Sequence, residues 1–189
     1  GDTKPGSDTV IDNIRLGYPG ASTIITYDDI AINDTSGSVD NSWCGDGHIV
    51  LIKPNAAGDA NTLTNSASST DLTTNYTFVD DIPSDGDTTY VWGTTDEYDL
   101  YNLTASSLPT FHVITRAWAE ARAKYATTDT ANINLIVKTG GVEYESTDLA
   151  LTTAYSSIKM AEYRQNPGTS DTWTEAELDA LQVGVKVPS

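Results

Sequence analysis

Residues 111–125 read FHVITRAWAEARAKY and lie in the longest run of the chain without Gly, Pro, Asn or Asp. As a helix, this stretch would place Ile114, Trp118 and Tyr125 on one face, and Glu120 would stand four residues before Lys124 as a supporting ion pair. As a strand, it alternates without a break. One side would then carry Val113, Thr115, Ala117, Ala119, Ala121, Ala123 and Tyr125, and the other Ile114, Arg116, Trp118, Glu120, Arg122 and Lys124.

The composition of this stretch favours a helix, because Ala, Glu, Arg and Lys are good helix formers. Its surroundings favour a strand. No Gly follows the run directly, and a polar turn at residues 127–130 leads at once into a second alternating run, NINLIVK at residues 132–138. We therefore predict that residues 111–125 form a long central strand across the middle of a β-sandwich.

The rest of the composition agrees with a β-protein. The 189 residues are 38% hydrophobic, include ten Tyr and four Trp, and are rich in Thr, Ser, Asp, Asn and Gly. Aromatic and β-branched residues suit strands, and the small polar residues suit turns. A chain of this length forms one large domain or two small ones, with a real hydrophobic core.

Short alternating or apolar runs recur about every ten residues, which is typical of a β-sandwich or jelly roll. We predict an all-β, jelly-roll-like antiparallel β-sandwich at residues 37–189, preceded at residues 1–36 by an N-terminal β-hairpin arm. Residues 55–75 form no obvious element, and residues 174–179 resemble one short helical turn capped by Thr172 or Thr174. Strands are predicted at residues 48–53, 90–92, 98–103, 132–138, 142–146, 154–165 and 181–187.

The chain is strongly acidic. It has 27 Asp and Glu against 10 Lys and Arg, a net charge of -17 and a pI near 4.1. Such a surface repels nucleic acids and anionic membranes, so neither is an expected partner. No apolar segment is long enough to span a bilayer. The charge is most simply explained by solubility, and a weaker explanation is calcium binding by clustered carboxylates.

The nearest approach to a calcium loop is Asp85-Gly86-Asp87. Calcium takes several oxygen ligands from a turn, and Asp85 and Asp87 would supply two of them. The fragment is too short to match the full calcium-loop pattern, and acidic turn residues on a solvated face are the more common case. No other cofactor is expected.

We find no sequence signature of an enzyme. His48 and His112 are the two histidines, and neither lies in a zinc-binding or catalytic-triad pattern. Cys44 is the single cysteine, and its neighbours resemble no nucleophile motif, which favours an inert thiol. Three Asn-x-Thr sequons, at Asn33, Asn75 and Asn102, are expected by chance in a chain rich in Asn and Thr, and would matter only in a secreting eukaryote.

Aromatic side chains offer one further kind of site. Exposed Trp and Tyr rings supply amphipathic contact surfaces, and the four Trp residues are candidates for a sugar-stacking platform, although most aromatic rings are core residues. Trp43 and Trp173 stand next to predicted loops, so they are the two candidates for glycan binding.

Several phrases in combination resemble a group of tailed-phage and prophage virion proteins. They are TYDDIAINDTSGSVDNSW (residues 26–43), GDGHIVLIKPNAAGD (45–59), VDDIPSDGDTTYV (79–91), YDLYNL (98–103) and WTEAELDALQVGVKV (173–187). The resemblance implies that residues 1–36 are the end of a concanavalin-like or laminin-G-like sandwich and that a second β-sandwich domain follows. These proteins are mainly structural or tail-fibre-like, so no catalytic residue is implied.

The resemblance predicts a structural protein of a virion exterior, as a capsid decoration or a tail- or fibre-associated protein that packs on copies of itself and on other virion proteins. The alternative is a carbohydrate-binding module for a host or environmental glycan. An isolated hairpin is marginal in water, so we expect the N-terminal hairpin to add to a neighbouring subunit. The charged side of residues 111–125 is a candidate docking surface.

Overall fold

A six-stranded antiparallel sheet is the largest element of the computed structural model, which describes residues 49–108, 113–126 and 131–189. The regular secondary structure of the described part is mainly β-strand, with antiparallel pairing and one short α-helix near the C-terminus. The predicted all-β class is therefore confirmed, and the jelly-roll arrangement stays a prediction. The predicted N-terminal hairpin and the boundary between residues 36 and 37 lie outside the described residues.

The described elements follow one another in a simple order. The strands are β1 (Pro54–Asn61), β2 (Thr64–Asn65), β3 (Val91–Trp92), β4 (Tyr98–Leu103), β5 (Glu120–Ala123), β6 (Asn132–Thr139), β7 (Val142–Glu145), β8 (Leu149–Ala150), β9 (Ser156–Lys159) and β10 (Gln182–Lys186). A 3-10 helix spans Leu72–Phe78, and helix α1 spans Glu175–Asp179. The large sheet has the order β1-β4-β10-β6-β7, with β8 paired to β6, and two small sheets pair β2 with β3 and β5 with β9.

The centre of the large sheet is formed by β6 and β10. Five consecutive residues of β6, Ile133 to Val137, are buried, as expected for a strand covered on both faces. Between β4 and β6 stands Gly184, which pairs with Leu100 on one side and Ile136 on the other. A side chain at Gly184 would overlap the Asp99 carbonyl oxygen and the Leu100 side chain, so this position requires glycine.

One face of the large sheet packs on the hydrophobic core. Leu135 and Val137 point into it from β6, and Val183 and Val185 occupy the neighbouring positions of β10. The other side of the core is supplied by β5, β9, α1 and their flanking segments. These contribute Ala119, Leu151, Met160, Trp173, Leu178 and Leu181.

The opposite face of the sheet is crossed by an irregular part of β1. The register between β1 and β4 shifts between Ala57 and Asn61. The displaced segment carries the Asp59 carboxylate to within 2.8 Å of Lys138 on β6. Gly58 lies so close to the Leu100 backbone that a β-carbon would come within 2.6 Å of it. This close crossing explains why Leu100 and Ile136 are fully buried on the face away from the core.

A buried polar network joins β4 to the segment that contains β2 and the 3-10 helix. The Asp99 carboxylate accepts hydrogen bonds from the backbone N–H groups of Thr62 and Leu63, at 2.7 and 2.9 Å. It also accepts from Asn75 Nδ2 at 2.7 Å and from the Tyr101 hydroxyl at 2.9 Å. Burial, followed by the neighbouring Asp99 charge, raises the pKa of Tyr101 well above its usual value. The carboxylate is thus buried with four donors in place of water.

Two predictions for residues 48–75 are wrong. Residues 55–75 contain β1, β2 and the beginning of the 3-10 helix, although they are polar. Their burial depends on specific hydrogen bonds, such as the one from Asn65 Nδ2 to Asn75 Oδ1 at 2.8 Å, and not on hydrophobic periodicity. The apolar run at residues 48–53 forms no strand over its described part, and Ile49 and Leu51 are 74% and 69% exposed.

The predicted long central strand at residues 111–125 is also wrong. Over its described part, residues 113–125, only Glu120–Ala123 forms a strand, β5, and it pairs with β9 in a separate two-stranded sheet. One further bridge joins Ala117 to Tyr163. The centre of the large sheet is occupied by β6, which is buried on both faces, and by β10, where Gly184 allows the close approach of β4. Residues 120–123 have instead one small apolar face and one charged face. The predicted alternation is confirmed only in part. Ala117, Ala119, Ala121 and Ala123 belong to the core or pack against it, but Val113 on the same predicted side is exposed, and Ile114 and Trp118 from the opposite side also pack against the core.

Helix α1 is confirmed where it was predicted. Thr174 is its N-cap, and the Thr174 and Glu177 side chains form a reciprocal capping box. The hydrogen bond from the Thr174 backbone N–H and the bond from its hydroxyl both lower the pKa of Glu177. The helix fixes Leu178 in the core and holds the Asp179 carboxylate 2.8 Å from the Ser106 backbone nitrogen.

Candidate interaction surface

The outward face of the β5–β9 sheet carries a concentration of basic side chains. Inward positions of β5 are filled by alanines, so the alternate positions point away from the core. We call this surface the basic ribbon and define it by Arg116, Arg122, Lys124, Lys159 and Arg164. Residues 116–124 and 156–164 hold five of the chain's ten Lys and Arg residues and only two of its 27 Asp and Glu residues. The ribbon is therefore a positive surface on a strongly negative chain.

One end of the basic ribbon is organised around Glu162. Its carboxylate lies 2.7 Å from Arg116 Nη1 and 3.0 Å from Lys159 Nζ. The hydrogen bonds from Lys159 and Arg116 lower the pKa of Glu162 below its usual value. The Lys159 ammonium also lies 4.3 Å from the centre of the Trp118 ring, within the range of a cation–π contact.

The other end of the ribbon is organised around Tyr155. Lys124 Nζ lies 4.4 Å and the Arg122 guanidinium carbon 5.6 Å from the centre of its ring. The Tyr155 hydroxyl donates to the Asp87 carboxylate at 2.9 Å, and the Gly86 carbonyl oxygen lies 3.1 Å from the same hydroxyl. Partial burial and the hydrogen bond to Asp87 raise the pKa of Tyr155 to about 12.

Next to this end of the ribbon lies an acidic turn, residues 80–89. The two surfaces meet where Asp87 Oδ1 contacts Lys124 Nζ at 2.6 Å, and the hydrogen bonds from Lys124 and Tyr155 lower the pKa of Asp87. Asp85 accepts hydrogen bonds from the backbone N–H and the hydroxyl of Thr89, at 3.2 and 2.9 Å. The Thr89 hydroxyl oxygen also lies 2.8 Å from the Asp81 carboxylate, so the two carboxylates share its single proton. Both of these carboxylates belong to exposed residues.

The two residues predicted as calcium ligands are thus close in the chain but have different partners. Asp87 is bound by Lys124 and Tyr155, and Asp85 is bound by Thr89. Within the described ranges, no group of three or more His, Cys, Asp or Glu side chains is arranged to hold a metal ion. A cation that replaced Lys124 at Asp87 would have to break a short ion pair first.

The two residues predicted as sugar-binding rings have different outcomes. Trp43 lies outside the described residues. Trp173 is buried instead of exposed: only 3% of its surface is accessible, it belongs to the core, and its indole N–H donates to the Tyr163 carbonyl oxygen at 3.2 Å. A ring in this position presents no face to a sugar. Its position next to a predicted loop did not reveal that it joins the same buried cluster as Leu178 of α1.

An exposed aromatic pair lies elsewhere, on β3 and just before it. Trp92 is 51% exposed and Tyr90 is 36% exposed. Two positions apart on an extended segment, they share one side of the β2–β3 sheet, where Trp92 is paired with Thr64. In the sequence, the alternation Tyr-Val-Trp is the signal that could have identified this pair. In the structure, the middle residue is more buried than the two rings.

A small pocket lies where the β6–β7 turn meets the loop before α1. It is lined by Thr139, Gly140, Val142, Asn166, Gly168, Thr169 and Glu177, and it has a volume of about 150 Å³. Pockets that enclose drug-sized ligands are typically about 300–1,000 Å³. One lining residue, Asn166, already accepts a hydrogen bond at Oδ1 from the Gly168 N–H at 2.8 Å.

In comparisons with known proteins, no family model, no curated protein and no solved structure matches this chain. Among the helices of the described ranges, none has the length and apolar character needed to cross a membrane. The function must therefore be inferred from the contacts and charges of the described residues.

Proposed function

We propose that this chain is a structural protein of a phage virion exterior, a capsid decoration or a tail- or fibre-associated protein, that acts by protein–protein packing without catalysis. The observation that carries the proposal is the separation of charge on its surface. Half of the basic residues of a chain with a net charge of -17 are gathered on the basic ribbon, beside an acidic turn.

This separation of charge supports packing on other proteins. A highly acidic surface keeps copies apart in solution, and a localised basic surface directs contact to one place and one orientation. Arg and Tyr are enriched at protein–protein interfaces, and both occur at the Arg122–Tyr155 contact. Several phrases of the sequence resemble tailed-phage virion proteins, and this resemblance supports a virion as the assembly. The partners would then be copies of this chain and other virion proteins.

The test is to locate the protein in its source. Particles purified from an induced lysate by density gradient are expected to carry it in a fixed ratio to the main shell protein, measured by quantitative mass spectrometry. A labelled antibody is expected to decorate the particle exterior in electron microscopy. A lysate protein unrelated to particles serves as the control for carry-over. Recovery of the chain only in the free soluble fraction would overturn the proposal.

A second candidate function, carbohydrate binding at the virion surface, is favoured by one observation. The exposed Tyr90 and Trp92 rings lie on the same side of a short sheet, beside the hydroxyl of Thr64. Aromatic rings with polar neighbours offer an apolar face and hydrogen-bonding groups together, which suits an amphipathic ligand such as a sugar.

A glycan array tests the second candidate. A saturable ligand is expected for the wild-type chain, and Trp92→Ala is expected to abolish binding. Trp118→Ala, which removes the ring that Lys159 contacts, is expected to leave binding unchanged. An array without any saturable ligand would remove this candidate. Loss of binding in both variants would show that the site is not at Trp92.

A further inference from the structure

We propose that the basic ribbon of one copy binds the acidic turn of a second copy, and that the two contacts form reciprocally about a two-fold axis. The inference rests on the proposed packing function and names the partner of the same surface. In the pair, Arg122 of each copy would face the Asp81 and Asp85 carboxylates of the other.

The relative position of the two surfaces carries the proposal. They are adjacent in one molecule, since Lys124 and Asp87 are in contact at 2.6 Å. Two adjacent patches of opposite charge are self-complementary: rotation by 180° about an axis between them places each patch on its opposite in the second copy. Two-fold contacts of this kind are the most common in homo-oligomers.

The charges that remain available agree with this arrangement. Arg122 is exposed and stacks over Tyr155, and within the described part of the chain it forms no ion pair. The carboxylates of Asp81 and Asp85 are hydrogen-bonded by Thr89, and no ion pair joins them to a cation of the described residues. These three groups are available for a partner, whereas Lys124 and Asp87 already neutralise each other.

The Tyr155 ring holds Arg122 in position at the proposed contact. Its hydroxyl is anchored to Asp87, and Lys124 lies over its ring. An arginine already stacked on an anchored ring loses less side-chain freedom on binding than a free surface arginine, which reduces the entropic cost of association. At 0.15 M salt, the repulsion between two copies of net charge -17 is screened beyond about 8 Å. The short-range contact between Arg122 and the acidic turn persists at this salt concentration.

A different role of the basic side chains would be protection of a two-stranded sheet with unpaired edges. Charged residues on edge strands prevent uncontrolled strand addition without binding any specific partner. The two roles differ in their need for the acidic turn. Protection depends on the ribbon alone, whereas reciprocal docking depends equally on Arg122 and on Asp81 and Asp85.

The experiment is a charge-reversal exchange followed by analytical ultracentrifugation at 0.15 M salt. Wild-type protein is expected to form a reversible dimer that dissociates at 1 M salt. Arg122→Glu alone and the double variant Asp81→Lys with Asp85→Lys are each expected to weaken dimerisation at least tenfold. An equimolar mixture of the two variants is expected to restore it, because both contacts of a mixed pair again join opposite charges.

The controls are Lys186→Glu, which makes the same change of charge as Arg122→Glu, and the double variant Asp148→Lys with Asp171→Lys, which makes the same change as the double variant of the acidic turn; all three residues lie outside the two surfaces. Both are expected to dimerise like the wild type, and circular dichroism verifies the fold of every variant. A monomeric wild type, or a mixture that stays monomeric, would overturn the inference. Growth beyond dimers in the mixture would overturn the two-fold arrangement. If one of these expectations fails but the protein is found on purified particles, the reciprocal contact is overturned and the proposed function stands.

Discussion

The Asn75 amide nitrogen lies 2.7 Å from the Asp99 carboxylate, and neither side chain has any accessible surface. The pair connects the polar segment after β1 to β4 of the large sheet. Asn75 also donates to the Leu63 carbonyl oxygen at 2.7 Å and accepts from Asn65 at 2.8 Å, so all its hydrogen-bonding groups have partners. A satisfied buried network specifies one arrangement, since every alternative leaves a polar group without a partner.

Asp99→Asn tests this network with almost no change of shape. The new amide replaces one acceptor oxygen with a donor, which then faces the Asn75 amide, the Tyr101 hydroxyl or two backbone N–H groups. We expect a loss of about 2–3 kcal/mol in the free energy of unfolding, because a buried donor without a partner costs about 1–3 kcal/mol. Urea denaturation measures it.

The matched control is Asp71→Asn. Asp71 is exposed and caps the 3-10 helix by accepting from the Thr73 backbone N–H at 3.2 Å. Asn caps about as well as Asp, so the free energy of unfolding is expected to change by less than about 0.5 kcal/mol. Equal effects of the two substitutions would contradict the special role of Asp99.

Gly184→Ala tests the close approach of β4 and β10. A β-carbon at this position overlaps the Asp99 carbonyl oxygen and the Leu100 side chain. Added volume in a packed region costs about 1–3 kcal/mol and sometimes more, and the colliding backbone atom here cannot rotate away. We expect a loss at the upper end of this range or beyond, measured by urea denaturation.

Gly140→Asn is the comparison for Gly184→Ala. Gly140 has a positive φ of 59° in the β6–β7 turn, with nothing within 4 Å of an added β-carbon. Asn tolerates this backbone conformation better than most residues, so we expect a loss below about 1 kcal/mol. A larger loss at Gly140 than at Gly184 would contradict the packing explanation.

Tyr155 gives the ribbon a pH-dependent stability at high pH. Its pKa in the folded chain is about 12, against about 10 in an unfolded chain. The folded state therefore holds this proton more tightly. The resulting stabilisation is complete below pH 10 and is lost as the pH rises from about 10 to 12. The expected difference between wild type and Tyr155→Phe, from denaturation at stepped pH, shrinks over this window.

Absorbance of tyrosinate near 295 nm provides an independent measurement of the Tyr155 pKa. The difference between the titrations of wild type and Tyr155→Phe isolates one hydroxyl among ten tyrosines. A midpoint near 10 in this difference would contradict the hydrogen bond to Asp87. Asp87→Asn is expected to move the midpoint downward, because it removes the charge that disfavours ionisation.

Glu162 gives a pH dependence of the opposite kind. Lys159 and Arg116 lower its pKa in the folded chain. Its stabilising effect is therefore present above the unfolded pKa, about 4.3, and is lost as the pH falls through the lower folded pKa. Since these ion pairs are partly exposed, Glu162→Gln is expected to cost less than about 1 kcal/mol at pH 7.

The measurement for Glu162 compares urea denaturation of wild type and Glu162→Gln at pH 7 and at pH 3. The difference in free energy of unfolding is expected to be smaller at pH 3, because this pH lies below the unfolded pKa and the stabilisation is already being lost there. A 1 M salt control at pH 7 is expected to reduce it as well, because screening weakens exposed pairs. A difference that grows toward low pH would contradict the assignment.

The strands that were predicted correctly are those whose own side chains determine their position in the sheet. YDLYNL became β4 with the predicted bounds, and NINLIVK became β6 with one residue more. Both have large apolar residues at successive positions, which only a strand buried on both faces satisfies. The capping box of α1 was readable for a similar reason, since Thr174 and Glu177 are three positions apart and interact locally.

The failures concern segments whose structure depends on distant partners. Residues 55–75 fold through Asp99, which is more than 20 positions further along the chain, and no local pattern shows that connection. The ribbon was predicted as a charged face on a central strand. Its alternation was right within β5, but the contribution of Tyr155, Lys159 and Glu162 follows from the register between β5 and β9, which the sequence does not show.

The buried amide of Asn75 also limits where the protein can be made. Asn75-Tyr76-Thr77 is an N-glycosylation sequon, and a sugar attached to Nδ2 would occupy the atom that donates to Leu63 and Asp99. A eukaryotic secretory host that modified the nascent chain would therefore yield molecules unable to close this network. Thr77→Ala removes the sequon at an exposed residue and keeps Asn75 itself, so it is the change required before secretion.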